Sequence, residues 1–203
     1  MVLWHEIFLP NEVADANRTS RSNGAVGPKA LVPRIVREWI GVTDRVLDFG
    51  AGKKAIHAVQ LRREGYNITA HEFGANCCPG IHDPYAIRQY FYDLVYASNV
   101  LNVQSSIRML RQTLSQMYFT LKPGGIIIAN FPKHPRKIVG LTPTDIGILI
   151  GEFFGVETQT VRLGRAVAVG RITAEPVFFI RKQRGAGNAT DRSFQNNNSV
   201  IDR

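Results

Sequence analysis

Arg45-Val46-Leu47-Asp48-Phe49-Gly50-Ala51-Gly52 decides the fold. Apolar residues run into a carboxylate, and two glycines follow with one residue between them. This order describes a buried strand, a tight turn and a helix start, here the basic segment Lys53 to Glu64. Glycines carry no Cβ, so a ligand can lie against bare backbone. A helix start offers unpaired N–H groups to a polar or anionic group. Asp48 places a carboxylate at the strand end, two residues before the first glycine.

Strands and helices alternate outward from this turn. Before it, Pro33 suits a first helical position, Ile35, Val36, Trp39 and Ile40 follow, and Gly41 terminates. The first strand is Arg45 to Asp48 and the second Asn67 to Phe73. A loop of turn formers runs from Gly74 to Pro84. The third strand is Asp93 to Ser98. Ile107, Leu110, Leu114, Met117, Tyr118 and Leu121 recur at steps of three and four, one apolar helical stripe capped by Ser105 or Ser106. Pro123-Gly124-Gly125 turns the chain into an apolar strand ending at Phe131. Thr142, Pro143 and Asp145 open another helix, which Gly155 ends. Two final strands follow, Val156 to Leu163 and Pro176 to Lys182, with an extra strand over Ala166 to Ile172. The expected architecture is α/β: a doubly wound, mostly parallel sheet with helices on both faces and a C-terminal antiparallel hairpin. Its parts are an arm or lid over residues 1–31, a main domain over 32–183 and a disordered tail over 184–203.

The chain has 203 residues, enough for one domain with a full core. No apolar run approaches the roughly 20 residues of a membrane helix. The N-terminus lacks the features of a signal peptide, so the expected location is the cytoplasm. Cys77 and Cys78 are adjacent and read as reduced thiols. His71 and His82 flank them, but the spacing fits no usual zinc pattern, and no metal is expected. Lys and Arg number 25 against 16 Asp and Glu, a net charge of +9. No acidic residue lies between Asp93 and Asp145, an interval holding Arg108, Arg111, Lys122, Lys133, His134, Arg136 and Lys137. That run is either a solvated basic face or a rim for a polyanion.

In a doubly wound sheet the ligand sits beyond the carboxyl ends of the strands, where strand order reverses. The glycine turn, Glu72, Ser98-Asn99 and the Asn130-to-Lys137 loop should therefore share one rim. Val46-Leu47-Asp48-Phe49-Gly50-Ala51-Gly52 resembles the first motif of class I S-adenosylmethionine-dependent methyltransferases. Glu72 closes the second strand, as the ribose-binding acid does in that family. Tyr92 to Leu101 resembles the family's fourth strand and loop, and Leu121-Lys122-Pro123-Gly124-Gly125 resembles the turn before its fifth. The resemblance covers Val32 to Lys182. It implies methyl transfer with S-adenosylmethionine as cofactor, bound by Asp48, Phe49, Gly50, Ala51, Gly52, Glu72, Phe73, Asp83, Ser98 and Asn99. Glu72 would accept from the ribose diol, Phe73 would pack on adenine, and Asp48 would meet the positive end of the amino acid part.

One region departs from the family. Between Glu72 and Tyr92 it fits a third strand and a helix, whose end contacts the adenine amino group. Here the gap is short and broken by prolines, Asp83 is the nearest candidate for that contact, and fewer strands are expected. For the acceptor, Asn99 and His134 are placed to orient or deprotonate a nucleophile. No Asp/Asn-Pro-Pro-aromatic motif follows the third strand, and no nucleophilic Cys. The acceptor is nucleic acid, gripped by Lys133, Arg136, Lys137, Arg18 and Arg21, or a small molecule. The segment Asn17 to Lys29 folds over the cofactor or grips phosphates, or is a flexible arm. Two alternatives stay open: an NAD(P)-dependent oxidoreductase, since Gly50 to Ala55 fits G-x-G-x-x-A, and a non-catalytic nucleic-acid-binding module on the same fold.

Overall fold

Val46–Phe49 (β1) is buried at every position, the condition of a strand covered on both faces. It pairs in parallel with Ile68–His71 (β2) on one side and with Tyr92–Ala97 (β3) on the other. Leu121–Asn130 (β4) extends the parallel run beyond β3. Ala166–Ala168 (β5) and Arg171–Thr173 (β6) form a separate antiparallel hairpin, and Val177–Arg181 (β7) closes the main sheet antiparallel to β4. The strand order is β2-β1-β3-β4-β7. The computed structural model describes residues 8–21, 30–131, 141–154, 166–168, 171–173 and 177–183. The expected strand over Val156 to Leu163 and the tail from residue 184 lie outside these.

Among the described residues five α-helices accompany the strands: Pro10–Arg21 (α1), Leu31–Trp39 (α2), Ile56–Arg63 (α3), Ile107–Thr120 (α4) and Pro143–Phe154 (α5). Side chains alternate along each strand, so the sheet feeds two cores. Leu47, Phe49, Val95, Ala97, Ile127 and Ala129 face α4 and α5, where Leu110, Leu114, Met117, Ile146 and Ile150 meet them. Val46, Ile68, Ala70, Leu94, Tyr96 and Ile128 face α2 and α3. Each large side chain so buried contributes roughly 1.5–3 kcal/mol.

Local chemistry sets the helix ends. Ser106 caps α4, its hydroxyl accepting from Met109 N–H at 3.0 Å. Thr142 and Asp145 form a reciprocal box at α5: the Thr142 hydroxyl accepts from Asp145 N–H at 3.2 Å, and the Asp145 carboxylate accepts from Thr142 N–H at 2.7 Å. Two starts differ from expectation. α2 begins two residues before Pro33, which therefore occupies its third position. α3 begins at Ile56 rather than Lys53, because Ala55 takes a left-handed conformation, φ +42°, that stops the helix running back into the glycine turn. The bend at Pro123-Gly124-Gly125 is a register shift within β4, with Gly124 at φ +83°.

β2 is an edge strand, as the shortened stretch after Glu72 implies. Its outward carbonyls are nevertheless occupied. Arg62 Nε donates to Ile68 O at 2.6 Å, and Asp83 N–H donates to Ala70 O at 2.9 Å. A guanidinium and a loop amide thus blunt an edge that would otherwise pair with another chain.

Candidate functional site

Strand order reverses between β1 and β3, so the crevice of this sheet opens at Gly50–Gly52 and Ser98–Asn99. Both glycines need a positive φ, +74° at Gly50 and +73° at Gly52. A Cβ on Gly50 would stand 2.6 Å from Val100 Cγ2, whereas the direction a Cβ would take from Gly52 is open for 4 Å. The turn is thus packed on one side and accessible on the other.

Glu72 meets the turn at the Gly52 N–H. Its two oxygens accept from Gly52 N–H at 2.7 Å and from Phe73 N–H at 2.8 Å. Burial raises its pKa above the usual carboxylate value, and these two hydrogen bonds oppose the rise. Asp48 lies beneath the turn, 2% exposed, on the sheet face toward α3. Burial pushes its pKa up to about 7, and the Glu72 charge adds to the rise. Tyr96, its register partner on β3, and the Ala58 N–H steady the charged form. Oδ2 of Asp48 has no hydrogen-bond partner. The two carboxylates therefore sense each other across the β1/β2 pair.

His82 emerges as a structural member of the site. Its Nδ1 accepts from Cys78 N–H at 2.9 Å, which leaves the proton on Nε2 to donate to Gly52 O at 3.0 Å. The imidazole thus pins the glycine turn to the loop that replaces a third strand. Among the described residues no group of His, Cys, Asp and Glu is arranged to hold a metal, and no helix is long and apolar enough to cross a membrane.

Several expected contacts fall elsewhere. The Phe49 side chain belongs to the core, so only its backbone reaches the turn. The Phe73 ring packs against Phe8 at 4.9 Å, His71 at 4.5 Å and Phe49 at 5.6 Å between centroids. The Asp83 carboxylate accepts from Tyr85 N–H at 2.8 Å and pairs with Arg88 at 2.7 Å. Its charge is felt by Tyr92, and the Asp83 N–H donates to Ala70 O at 2.9 Å. The Arg88 ion pair and the short link from β2 hold it there.

Ser98 and Asn99 directly follow β3. The Ser98 hydroxyl is buried without a partner. Asn99, at φ +58°, is clasped by Asn130 at the end of β4: Asn99 N–H donates to Asn130 Oδ1 at 2.7 Å, and Asn130 Nδ2 donates to Asn99 Oδ1 at 2.8 Å. Lys133, His134, Arg136 and Lys137 lie outside the described residues. In the arm, Arg18 is exposed and pairs with Asp15 at 3.7 Å, and Arg21 ends α1. Two cations of the acid-free interval are paired within the protein, Lys122 with Asp93 at 2.6 Å and Arg108 with Glu12.

The arm holds what the sequence reading missed. α1 crosses the rim from the Gly74–Asn76 turn to the Leu101–Val103 turn. Those turns follow β2 and β3, which flank β1, so α1 bridges the exit of β1. Glu12 accepts from Ser106 Oγ at 2.5 Å and from Arg108; Asn17 Nδ2 donates to Phe73 O at 3.1 Å and its Oδ1 accepts from Asn76 Nδ2 at 3.2 Å. The signal for this helix was Pro10 at its first position with Glu12 two residues on.

No family model matches the chain, and no curated protein matches it in sequence. Solved structures do match in fold. A TehB-like SAM-dependent methyltransferase from Corynebacterium glutamicum aligns over 86% of this chain and 100% of its own, at 13% identity and a TM-score of 0.56. The 1,6-didemethyltoxoflavin-N1-methyltransferase of Burkholderia thailandensis, solved with bound 1,6-didemethyltoxoflavin and S-adenosylhomocysteine, aligns over 85% and 84%, at 14% identity and 0.56. A SAM-dependent methyltransferase from Aquifex aeolicus aligns over 83% and 98%, at 14% identity and 0.51. The chain has the Rossmann-like fold of these S-adenosylmethionine-dependent methyltransferases.

Proposed function

We propose that this protein transfers a methyl group from S-adenosylmethionine. The observation that carries the reading is the junction of Glu72 with Gly52 at the switch point of the sheet. A ribose diol has two donors, and a carboxylate with two oxygens at a glycine turn is its complement. On binding, Glu72 exchanges the Gly52 N–H for a ribose hydroxyl. The open side of Gly52 gives the backbone room to approach the cofactor. Asp48, buried with an unpartnered oxygen, supplies negative potential beneath a cationic ligand. The cofactor contributes an electrophilic methyl on a sulfonium, and the protein contributes alignment and exclusion of water. Asn99, fixed by Asn130, orients the acceptor at the β3 side of the crevice.

Residues 32–183 form the catalytic unit in this reading, and the arm over 1–31 serves as its lid. The acceptor is nucleic acid, supported by the net charge of +9 and by the run of Lys133, His134, Arg136 and Lys137 in the sequence. Calorimetric titration with S-adenosylmethionine, S-adenosylhomocysteine and NAD tests the cofactor. Binding of the first two alone supports the reading, and binding of NAD alone overturns it. For the acceptor, the affinity for a single-stranded DNA or RNA oligonucleotide should fall steeply with salt. A flat response removes nucleic acid from the reading.

A further inference from the structure

Nucleoside geometry constrains where the base must go. The base leaves a ribose at C1′ and the 5′ substituent at C4′, so the two run to opposite ends of the sugar. With Glu72 on the diol and the reacting end toward the β1/β3 crevice, the base lies beyond β2, over Phe73 and the Gly74–Asn76 turn. The Asp83 carboxylate is already engaged by Arg88 and the Tyr85 N–H. What stands there instead is α1. A Cβ on Gly74 would meet Val13 Cγ1 at 2.6 Å and Asn17 Nδ2 at 2.7 Å, so the helix presses directly on the turn. The ring of Phe8 meets the Phe73 ring edge-on. Asn17 and Asn76 are 7% and 2% exposed and joined amide to amide.

We propose that α1 builds the base end of the cofactor site in place of the missing third strand, with Asn17 as the residue that selects adenine. The inference rests on the cofactor reading above. Asn17 Nδ2 is committed to the Phe73 carbonyl, and that bond fixes the orientation of the amide. Its Oδ1 therefore presents an acceptor, now used by Asn76 Nδ2. An adenine amino group takes the place of the Asn76 amide on this oxygen. Hypoxanthine offers a carbonyl at the same position, which Oδ1 repels, and turning the amide over would break the bond to Phe73. A wall that only packed against the base would not tell the two apart.

The test is calorimetric titration of the full chain with S-adenosylhomocysteine and with S-inosylhomocysteine. The wild-type protein should prefer the adenine compound by roughly tenfold or more, the size of a well-placed amide contact to a base. Asn17→Ala should compress the preference to within about twofold. Asn17→Ser makes the same comparison if melting curves show that the alanine variant is unfolded. A purely structural Asn17 would weaken both ligands equally and leave the ratio unchanged, which overturns the inference. Binding of S-adenosylhomocysteine by the wild type without preference also overturns it. If the wild type does not bind S-adenosylhomocysteine at all, the cofactor reading itself fails and the inference falls with it.

Discussion

The Glu72 carboxylate accepts a hydrogen bond from the Gly52 backbone N–H at 2.7 Å. This bond joins the acid that follows β2 to the turn that follows β1, and it crosses the point where a nucleoside would enter. Glu72→Ala removes both the turn contact and the diol acceptor. Charge-assisted hydrogen bonds are the strong ones, so S-adenosylhomocysteine affinity should fall by roughly tenfold to a hundredfold. Calorimetry on the variant reads this directly, and unchanged affinity would mean that the ribose lies elsewhere.

Asp48 makes stability depend on pH in an unusual direction. Its folded pKa of about 7 exceeds the ordinary 3.8. Between those values the folded protein holds a proton that the unfolded chain has released, so stability falls as pH rises from about 4 to 7 and then levels. The raised pKa of Glu72 acts in the same sense. For a fully buried group the effect is on the order of a few kcal/mol. Asp48→Asn should flatten the profile and be the more stable form at pH 8. Urea denaturation at pH 5 and pH 8 decides; a wild-type protein more stable at pH 8 than at pH 5 would count against the buried, unpaired carboxylate.

The Glu12 latch predicts a local effect rather than a global one. Burial alone would raise its pKa, but the Ser106 hydroxyl and the Arg108 guanidinium together hold it below the usual value. A depressed folded pKa means that the latch is present above the ordinary carboxylate pKa and is lost as pH falls through the folded value. Glu12→Gln should expose α1 amides to hydrogen exchange while β1 and β3 keep their protection. Equal loss of protection in α1 and the central strands would show that α1 is part of the core and not a separable bar.

Legibility followed the reach of each signal. β1, its glycine turn and Glu72 could be read because strand, turn and acid are contiguous in chemistry and spacing. The caps at Ser106 and Thr142 were legible because capping is local. The surroundings of Asp83 were not legible, because they depend on Arg88 five residues on and on the hydrogen bond to Ala70, neither of which leaves a pattern. α1 was read as an arm because its partners Phe73, Asn76, Ser106 and Arg108 lie 56 to 96 positions away. Its composition is polar, and only tertiary contact turns it into a bar across the site. The Asn99–Asn130 clasp was half visible: Asn99 stood at a strand end, but its partner is 31 residues distant.

Lys182 holds the opposite end of the sheet together, and its charge should be measurable. Its Nζ donates to Tyr118 O at 2.8 Å and Leu121 O at 3.0 Å, where α4 ends. It also lies 3.9 Å from the centre of the Tyr118 ring and 4.3 Å from that of Tyr90. Burial lowers its pKa from 10.5 to about 8. Between those values the unfolded chain carries the extra proton, so this residue makes stability rise with pH from about 8 to 10.5. Lys182→Met keeps the length and apolar stem but removes the Nζ donor from Leu121 O and Tyr118 O, which costs about 1–3 kcal/mol. Chemical denaturation at pH 7.5 should show that loss, and a series at higher pH should show less of the alkaline rise than in the wild type. Equal stability of the two proteins at pH 7.5 would mean that water, not Lys182, satisfies the end of α4.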